Sequence, residues 1–380
     1  MKDRGGCESG GARWAGLLAG VLAVMAAVVI GCGSGGGSNI APFAGVWVAN
    51  PGGPDVLHFS GAQINQFRGV FNLPPATLLT TRFISPQDTL FDSAGGLWVV
   101  DGGSGRGAAA AVYNFAAAQL ANLNSNSAPT PAFVATAPFN FVFPQFAAFD
   151  GAGNLWVTDS GGNQILEFTK EQLASPTHVA TSPNAVLSSL SFSAPLGMAF
   201  DAAGNLWVAN NGTTPSIIEI AAATLAAASG PTAVVPIKVL TSTLVDGFQT
   251  INNPWGMLFD VNGNLWFTNE QSNVGVCSGT IVEFTAAALA APGIFIAPPP
   301  NVVITPASAG GNMSLCDPNG IAMNSAGDIT VANAGNNSLA EYTAQQLMSS
   351  GATVPNLLVV GVATTLQSPA GLVYGPLSLH

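Results

Sequence analysis

FDGAGNLWVTDSGGNQILEFTKEQL, residues 149 to 173, holds the pattern from which the fold follows. Leu155, Trp156 and Val157 form one apolar run, and Ile165, Leu166 and Phe168 form a second. Gly-Ala-Gly between Asp150 and Asn154 is a tight-turn signal, because glycine accepts positive φ without steric cost. Asp159-Ser-Gly-Gly-Asn163 marks a second turn of the same chemistry, so the two runs read as a hairpin. Thr169 and Gln172 then match the capping box that opens a helical turn. With the residues leading into Phe149, the stretch reads strand, turn, strand, turn, strand, short helix.

Working outward, the same text recurs. FDSAGGLWVVD stands at 91 to 101, FDAAGNLWVAN at 200 to 210 and FDVNGNLWFTN at 259 to 269. MNSAGDITVAN at 323 to 333 is a weaker copy, and GVWVAN at 45 to 50 lacks its leading strand. The Trp-equivalent positions are 47, 98, 156, 207, 266 and 330, six copies spaced as a repeat architecture requires. A leading strand follows Pro86, Pro144, Pro195, Pro254 and Pro318, and trailing strands are β-branched, as in VVPIKVL (234–240), NVVIT (301–305) and NLLVV (356–360). A sixth leading strand, 369 to 374, has no successor, and it completes the copy at 45 to 50 if the ring closes. The expectation is an all-β chain, a six-bladed β-propeller of four-stranded antiparallel blades over residues 42 to 380, sealed by its C-terminal strand. LWV is apolar on consecutive residues, as suits a strand buried on both faces between blades. The 45 Gly and 26 Pro fall between the apolar runs, which argues against a helix-rich fold.

VTDSGGNQILEF resembles the NHL-repeat pattern: a strand ending in Asp, a Gly/Asn turn, and an Ile-containing strand leading to Phe. GNLWV is similar to repeats in streptogramin-lyase-like and gluconolactonase-like propellers. The resemblance spans nearly all of residues 42 to 376 and implies the propeller fold, a scaffold that hosts unrelated functions. It implies no matched catalytic set. Gluconolactonase-like propellers use Glu, Asn and Asp around an axial metal, whereas the inner-strand starts here carry Gln87, Asp88, Gln145, Asn253, Asp317 and Asn319, with no Glu. Streptogramin-lyase-like enzymes use His and Glu near magnesium, and the histidines here are His58, His178 and His380, none in a matching place.

The chain opens with Lys2, Arg4 and Arg13, then small and apolar residues from 15 to 30, a signal-peptide layout shorter than the roughly 20 residues of a membrane span. Val29-Ile30-Gly31-Cys32 resembles a bacterial lipobox, which makes residues 1 to 31 a lipoprotein signal, Cys32 the lipidated residue and 32 to 41 a flexible Gly/Ser tether. The alternative is an ordinary cleaved signal with an incidental cysteine. Cys277 and Cys316 remain as a pair on the same face of the ring. A disulfide there implies an oxidising compartment and contributes roughly 4 kcal/mol by loop closure. The expected location is extracytoplasmic, anchored to a bacterial membrane on the periplasmic side or at the cell surface. With 8 basic and 19 acidic residues and no basic stripe, nucleic acid is excluded as a partner.

Two repeated polar sets invite a chemical reading. Asn50, Asp101, Asp159, Asn210, Asn269 and Asn333 end the second strands, and in a closed ring they surround one face as a candidate binding ring for Ca²⁺ or sugar hydroxyls. Recurrence in every copy favours the alternative, a turn-capping Asx role. His58, Glu167, Glu219, Glu283 and Glu341 recur on the third strand, and Asp92, Asp150, Asp201 and Asp260 in the FDxxGN turns, again as structural positions. The singular acids Asp88 and Asp317, with Asn319 beside the latter, are the metal candidates. The expected function is a non-catalytic, lipid-anchored propeller presenting its loop face to a protein or glycan of the envelope, without a cofactor. A hydrolase or lyase with a divalent metal in the central channel, related to the gluconolactonase-like or streptogramin-lyase-like propellers, is the enzyme alternative, and a purely structural envelope protein is the third reading.

Overall fold

A computed structural model describes residues 44–80, 83–104, 110–123, 127–136, 141–175, 179–180, 182–242, 244–245, 248–270, 277–290 and 297–375. The segment read as a signal (1–31), Cys32, the segment read as a tether (32–41), His178 and His380 lie outside the described residues.

Six blades follow one another around an axis. In the third, the innermost strand Pro144–Phe149 pairs with Leu155–Asp159, that with Gln164–Phe168, and that with Ala185–Ser188, all antiparallel. The second, fourth, fifth and sixth blades repeat the order, with innermost strands Pro86–Phe91, Pro195–Phe200, Pro254–Phe259 and Pro318–Met323. The first blade is assembled from both ends of the ring. Leu372–Tyr374 pairs antiparallel with Gly45–Asn50, with Trp47 opposite Val373, and Gly45–Asn50 continues to Asp55–Ser60 and Thr77–Leu79.

One feature exceeds the four-stranded expectation. After its third strand each blade runs through a short helix or 3₁₀ turn, and in four blades the returning chain adds a parallel strand to the outer edge of the preceding blade. Gly230–Ala233 joins Ala185–Ser188, Gly351–Ala352 joins Val302–Thr305, and Val179–Ala180 joins Phe133–Ala135. Gly69–Phe71, from the first blade, joins Leu357–Val360 of the sixth, so the ring is tied at its outer edge as well as its inner one. Where no strand forms, a single contact does the same: Leu79 bridges Ser127, and Ala297 N–H donates to the Thr241 carbonyl at 2.8 Å. These outer strands cover edges that would otherwise offer unpaired N–H and C=O groups.

The core lies between blades. Six apolar clusters each join two neighbouring blades, as where Trp156, Ile165 and Leu187 of the third meet Met198, Val208 and Ile218 of the fourth. Trp47, Trp98, Trp156, Trp207 and Trp266 are all buried in such seams. The FDxxGN aspartate has two tasks: Asp150 Oδ1 accepts the turn's N–H groups from Ala152 and Asn154, and Oδ2 accepts Trp156 Nε1–H at 3.0 Å. Asp92, Asp201 and Asp260 hold Trp98, Trp207 and Trp266 in the same way. Among the described residues no helix is long and apolar enough to cross a membrane.

Candidate functional site

The loops between second and third strands and the connections into the inner strands emerge on one face. The six-residue Asx set sits there, and each member has essentially no exposure. The side chains point at the connection that leads into their own blade's inner strand. Asp159 accepts N–H from Val142 (2.8 Å) and Phe143 (2.5 Å), and Asp101 accepts from Ile84 (2.9 Å) and Ser85 (2.8 Å). The asparagines use both ends of the amide. Asn269 accepts from Asn252 N–H and donates to the Thr250 carbonyl, Asn333 uses Cys316 and Ser314, and Asn210 uses Ser193 and Ser191. Asn50 reaches across the seam to Gln367 N–H and the Thr365 carbonyl. These six are staples that shape the face, with their polar atoms already committed to it.

Two kinds of blade follow from that division. In the four Asn blades the residue before the inner-strand proline is left-handed: Ala194, Asn253, Asp317 and Ser368 have φ between 47° and 50°. Two residues after it stands glycine, at 197, 256, 320 and 371. A Cβ at Gly197 would lie 2.0 Å from the Trp255 carbonyl oxygen, and one at Gly320 2.3 Å from the Ala370 carbonyl oxygen, so inner strands there approach backbone to backbone. In the two Asp blades the glycine is replaced by Asp88 and Phe146. Asp317 is therefore the left-handed residue of a repeated corner, a conformation Asp and Asn tolerate, and its carboxylate lies against the Gly335 turn of its own blade. Asn319, buried on the sixth inner strand, receives the Thr268 Oγ1–H on its backbone oxygen at 2.6 Å.

Asp88 differs from Asp317 in lying within the inner strand rather than on its approach, and from Asn319 in aiming a carboxylate at the next blade: it is only 7 % exposed, and its Oδ2 accepts Ala147 N–H there at 3.1 Å. Burial pushes its carboxyl up to about 8, against the pull of the Ala147 and Thr89 N–H groups. It lines a central cavity of about 310 Å³ walled by inner strands, with Phe146, Met198, Met257, Ile321 and Leu372 around it and Tyr374 towards the opposite face. At the loop-face mouth, Phe146 meets Trp255 edge-on with ring centroids 6.5 Å apart, and Trp255 Nε1–H donates to Glu270 at 2.7 Å. Gln87 is tied to Ser85, while Gln145 Oε1 is buried and meets no donor among the described residues. A wider cleft of about 650 Å³ lies off the axis beside Cys277, with no ionisable side chain in its described lining.

Cys277 and Cys316 form the disulfide expected between the loops of the fifth and sixth blades. The third-strand set is engaged in the seams: Asn184, Asn301 and Asn356 donate to Glu167, Glu283 and Glu341, and Lys238 pairs with Glu219 at 3.4 Å. Burial raises all four carboxyls above their ordinary range. His58 stacks on Trp47 at 4.3 Å and bonds the Ala44 carbonyl, and burial lowers its pKa to about 4. Among the described residues no three His, Cys, Asp or Glu side chains converge as metal ligands. What sequence reading missed is the pairing of staple with corner, and its signal was present: Asn copies carry P-x-G, Asp copies do not.

No protein-family model matches the chain, and no curated protein matches it. Among solved structures, 425 chains match. A streptogramin B lyase is 15% identical with 73% of this chain and 70% of that chain covered, at a TM-score of 0.41. A candidate 6-phosphogluconolactonase from Bacteroides fragilis is 12% identical over 86% of this chain and 96% of that one, at 0.49. A virginiamycin B lyase from Staphylococcus aureus is 15% identical over 75% and 87%, at 0.41. The likeness is one of fold.

Proposed function

We propose that this propeller is an exported, lipid-anchored binding protein that presents its loop face to a protein or glycan of the cell envelope and performs no chemistry of its own. The observation that carries the reading is the mouth of the channel on that face. It is aromatic and amide-bearing: Phe146 stands against a half-buried Trp255, and Gln87, Gln145 and Asn319 take the place of Trp255, directly after the inner-strand proline, in three other blades. Planar aromatic faces and amide groups are what stacking and hydrogen bonding to a polar, uncharged partner need. The six staples and the disulfide hold the surrounding loops in one shape before binding, which lowers the ordering cost of association. The lipobox-like Val29-Ile30-Gly31-Cys32 supports the anchor. Capture from envelope extract tests the binding: full-length protein retains a partner, and Trp255→Ala weakens retention at least tenfold with an unchanged melting temperature. Equal retention by the variant overturns the reading. Cys32→Ser releases the protein from the membrane fraction or leaves an unprocessed precursor, and wild-type behaviour of that variant overturns the anchor.

The metal-dependent hydrolase or lyase retains one observation in its favour, the buried Asp88 in the channel. One equivalent of divalent metal in purified protein that disappears in Asp88→Asn, together with lactonase or lyase turnover, decides for it.

A further inference from the structure

The channel carries a carboxyl group that the other five blades do without, although its Oδ2 accepts the Ala147 N–H of the next blade. Four blades place glycine where the second places Asp88, and the third places Phe146. Among the side chains that line the cavity Asp88 is the one carboxyl, and Tyr374 is the other ionisable group. The strands packed against Asp88 are Gly45–Asn50, Leu97–Asp101, Pro144–Phe149 and Leu372–Tyr374. Their titratable residues are Asp101, bonded into its own connection, and Tyr374, whose hydroxyl lies 2.6 Å from Thr330 Oγ1. None of these strands contributes Lys, Arg or His. A buried carboxylate without a cation is costly, so Asp88 calls either for a proton or for a cationic guest. The space beside it suits a guest: about 310 Å³, at the lower end of the roughly 300–1,000 Å³ of small-molecule sites. The walls are thioether, aliphatic and aromatic, and the Phe146 ring stands at the same level as the carboxyl, one blade on.

We propose that the central channel binds a small primary ammonium ion with an apolar body, its nitrogen held by the Asp88 carboxylate beside Phe146 and its body among Met198, Met257 and Leu372. The carboxylate supplies charge and a hydrogen-bond acceptor, the aromatic face supplies a cation–π contact, and the apolar walls favour the hydrocarbon portion. A proton on Asp88 competes with the guest. Since burial lifts this carboxyl to about 8, the ionised fraction rises roughly tenfold from pH 7 to pH 9, and apparent affinity rises with it. An alkylammonium, with a pKa of about 10.4 like lysine, stays charged across that range. The site shares Phe146 with the mouth of the channel, but amine binding reports on Asp88 and envelope capture on Trp255, so the failure of one reading is distinguishable from the failure of the other.

Isothermal titration of the full-length protein with 2-phenylethylamine, and with 2-phenylethanol as its neutral counterpart, tests the assignment at pH 7 and pH 9. The amine binds at both pH values and roughly tenfold more tightly at pH 9, while the alcohol binds at least tenfold more weakly than the amine at pH 9 and without pH dependence. Asp88→Asn removes the preference for the amine, and so does Asp88→Gly, which restores the residue of four other blades. If either variant fails to fold, the amine–alcohol and pH comparisons on the wild type decide alone. No amine binding at pH 9, equal binding of alcohol and amine, or undiminished amine binding in a folded Asp88 variant overturns the proposal.

Discussion

At the scale of single residues, the choice between Asp and Asn at the end of a second strand is a statement about the connection into the same blade's inner strand, seventeen residues earlier in five blades and at 365 to 367 for Asn50. Asp101 and Asp159 face two N–H groups and want an acceptor with two oxygens. Asn269 faces one N–H and one carbonyl and wants an amide. Exchanging them therefore sets like against like: Asn269→Asp turns a carboxylate oxygen towards the Thr250 carbonyl, and Asp101→Asn turns an NH₂ towards an N–H. Each exchange is expected to cost about 2 kcal/mol in chemical denaturation, because the group left unpaired is buried. A loss below a few tenths of a kcal/mol for both would mean that the staples are incidental. His58 makes a second prediction. In the unfolded chain its imidazole takes up a proton near pH 6.5, whereas the folded site refuses one until about pH 4. Its stabilising contribution is thus present above pH 6.5 and is lost as pH falls through 4, up to about 3 kcal/mol. His58→Asn, which copies Asn114 at the matching place in the second blade, is expected to flatten stability between pH 6.5 and 4. The Asx positions and the odd histidine were legible in the sequence because repetition exposes both the rule and its exceptions. Their partners were not, because a loop seventeen residues away carries no pattern of its own.

At the scale of elements, the hairpins were legible and the outer straps were not. LWVTD and QILEF announce themselves by apolar runs between Gly-rich turns, and they pair in the register that the turn length requires, Val157 opposite Leu166. Gly-Val-Phe at 69 to 71 is only three residues long, Gly-Pro-Thr-Ala at 230 to 233 is poor in strand formers, and both are partly exposed, so nothing local marks them as strands. They are strands because a neighbouring blade offers an unpaired edge, a tertiary cause that overrides propensity. The glycine rule belongs at this scale too. P-x-G was visible four times, but its reason, the approach of successive inner strands, exists only once the ring has closed. The strap from the first blade is testable by Gly69→Pro. Proline removes the N–H that Gly69 donates to the Asn356 carbonyl at 2.8 Å and cannot hold the φ of 100° found there, so the Phe71 amide is expected to lose hydrogen-exchange protection while those of Gly45–Asn50 keep theirs. Unchanged protection at Phe71 would show that the pairing contributes nothing to order there.

At the scale of the whole molecule, the decisive question is what holds a ring of six like units closed. Each interface between successive blades has the same components, an apolar seam and an outer strap, and one of them also joins the two ends of the ring. There the closure is threefold. Leu372–Tyr374 supplies the inner strand of the first blade, Gly69–Phe71 straps that blade to the sixth, and Asn50 staples the connection at 365 to 367. Ala49 exchanges backbone hydrogen bonds with Ala370 and Gly371, and Gly375 N–H donates to the Gly45 carbonyl at 2.8 Å. Removing residues 369 to 380 strips the inner strand but leaves the strap, so the two closures can be separated. The truncated chain exposes the edge of Gly45–Asn50 and one wall of the channel beside Val46 and Val48. An open, apolar strand edge recruits whatever strand is available, and the expected outcome is a lower melting temperature with concentration-dependent association. A synthetic peptide of residues 369 to 375 should reverse both effects by occupying the vacated place, since it brings the three residues that pair with Val46, Trp47 and Val48 and the Gly375 N–H that the Gly45 carbonyl accepts. A truncated protein that melts with the full-length chain and stays monomeric would show that the outer strap alone closes the ring, and the inner strand would then serve only to line the channel.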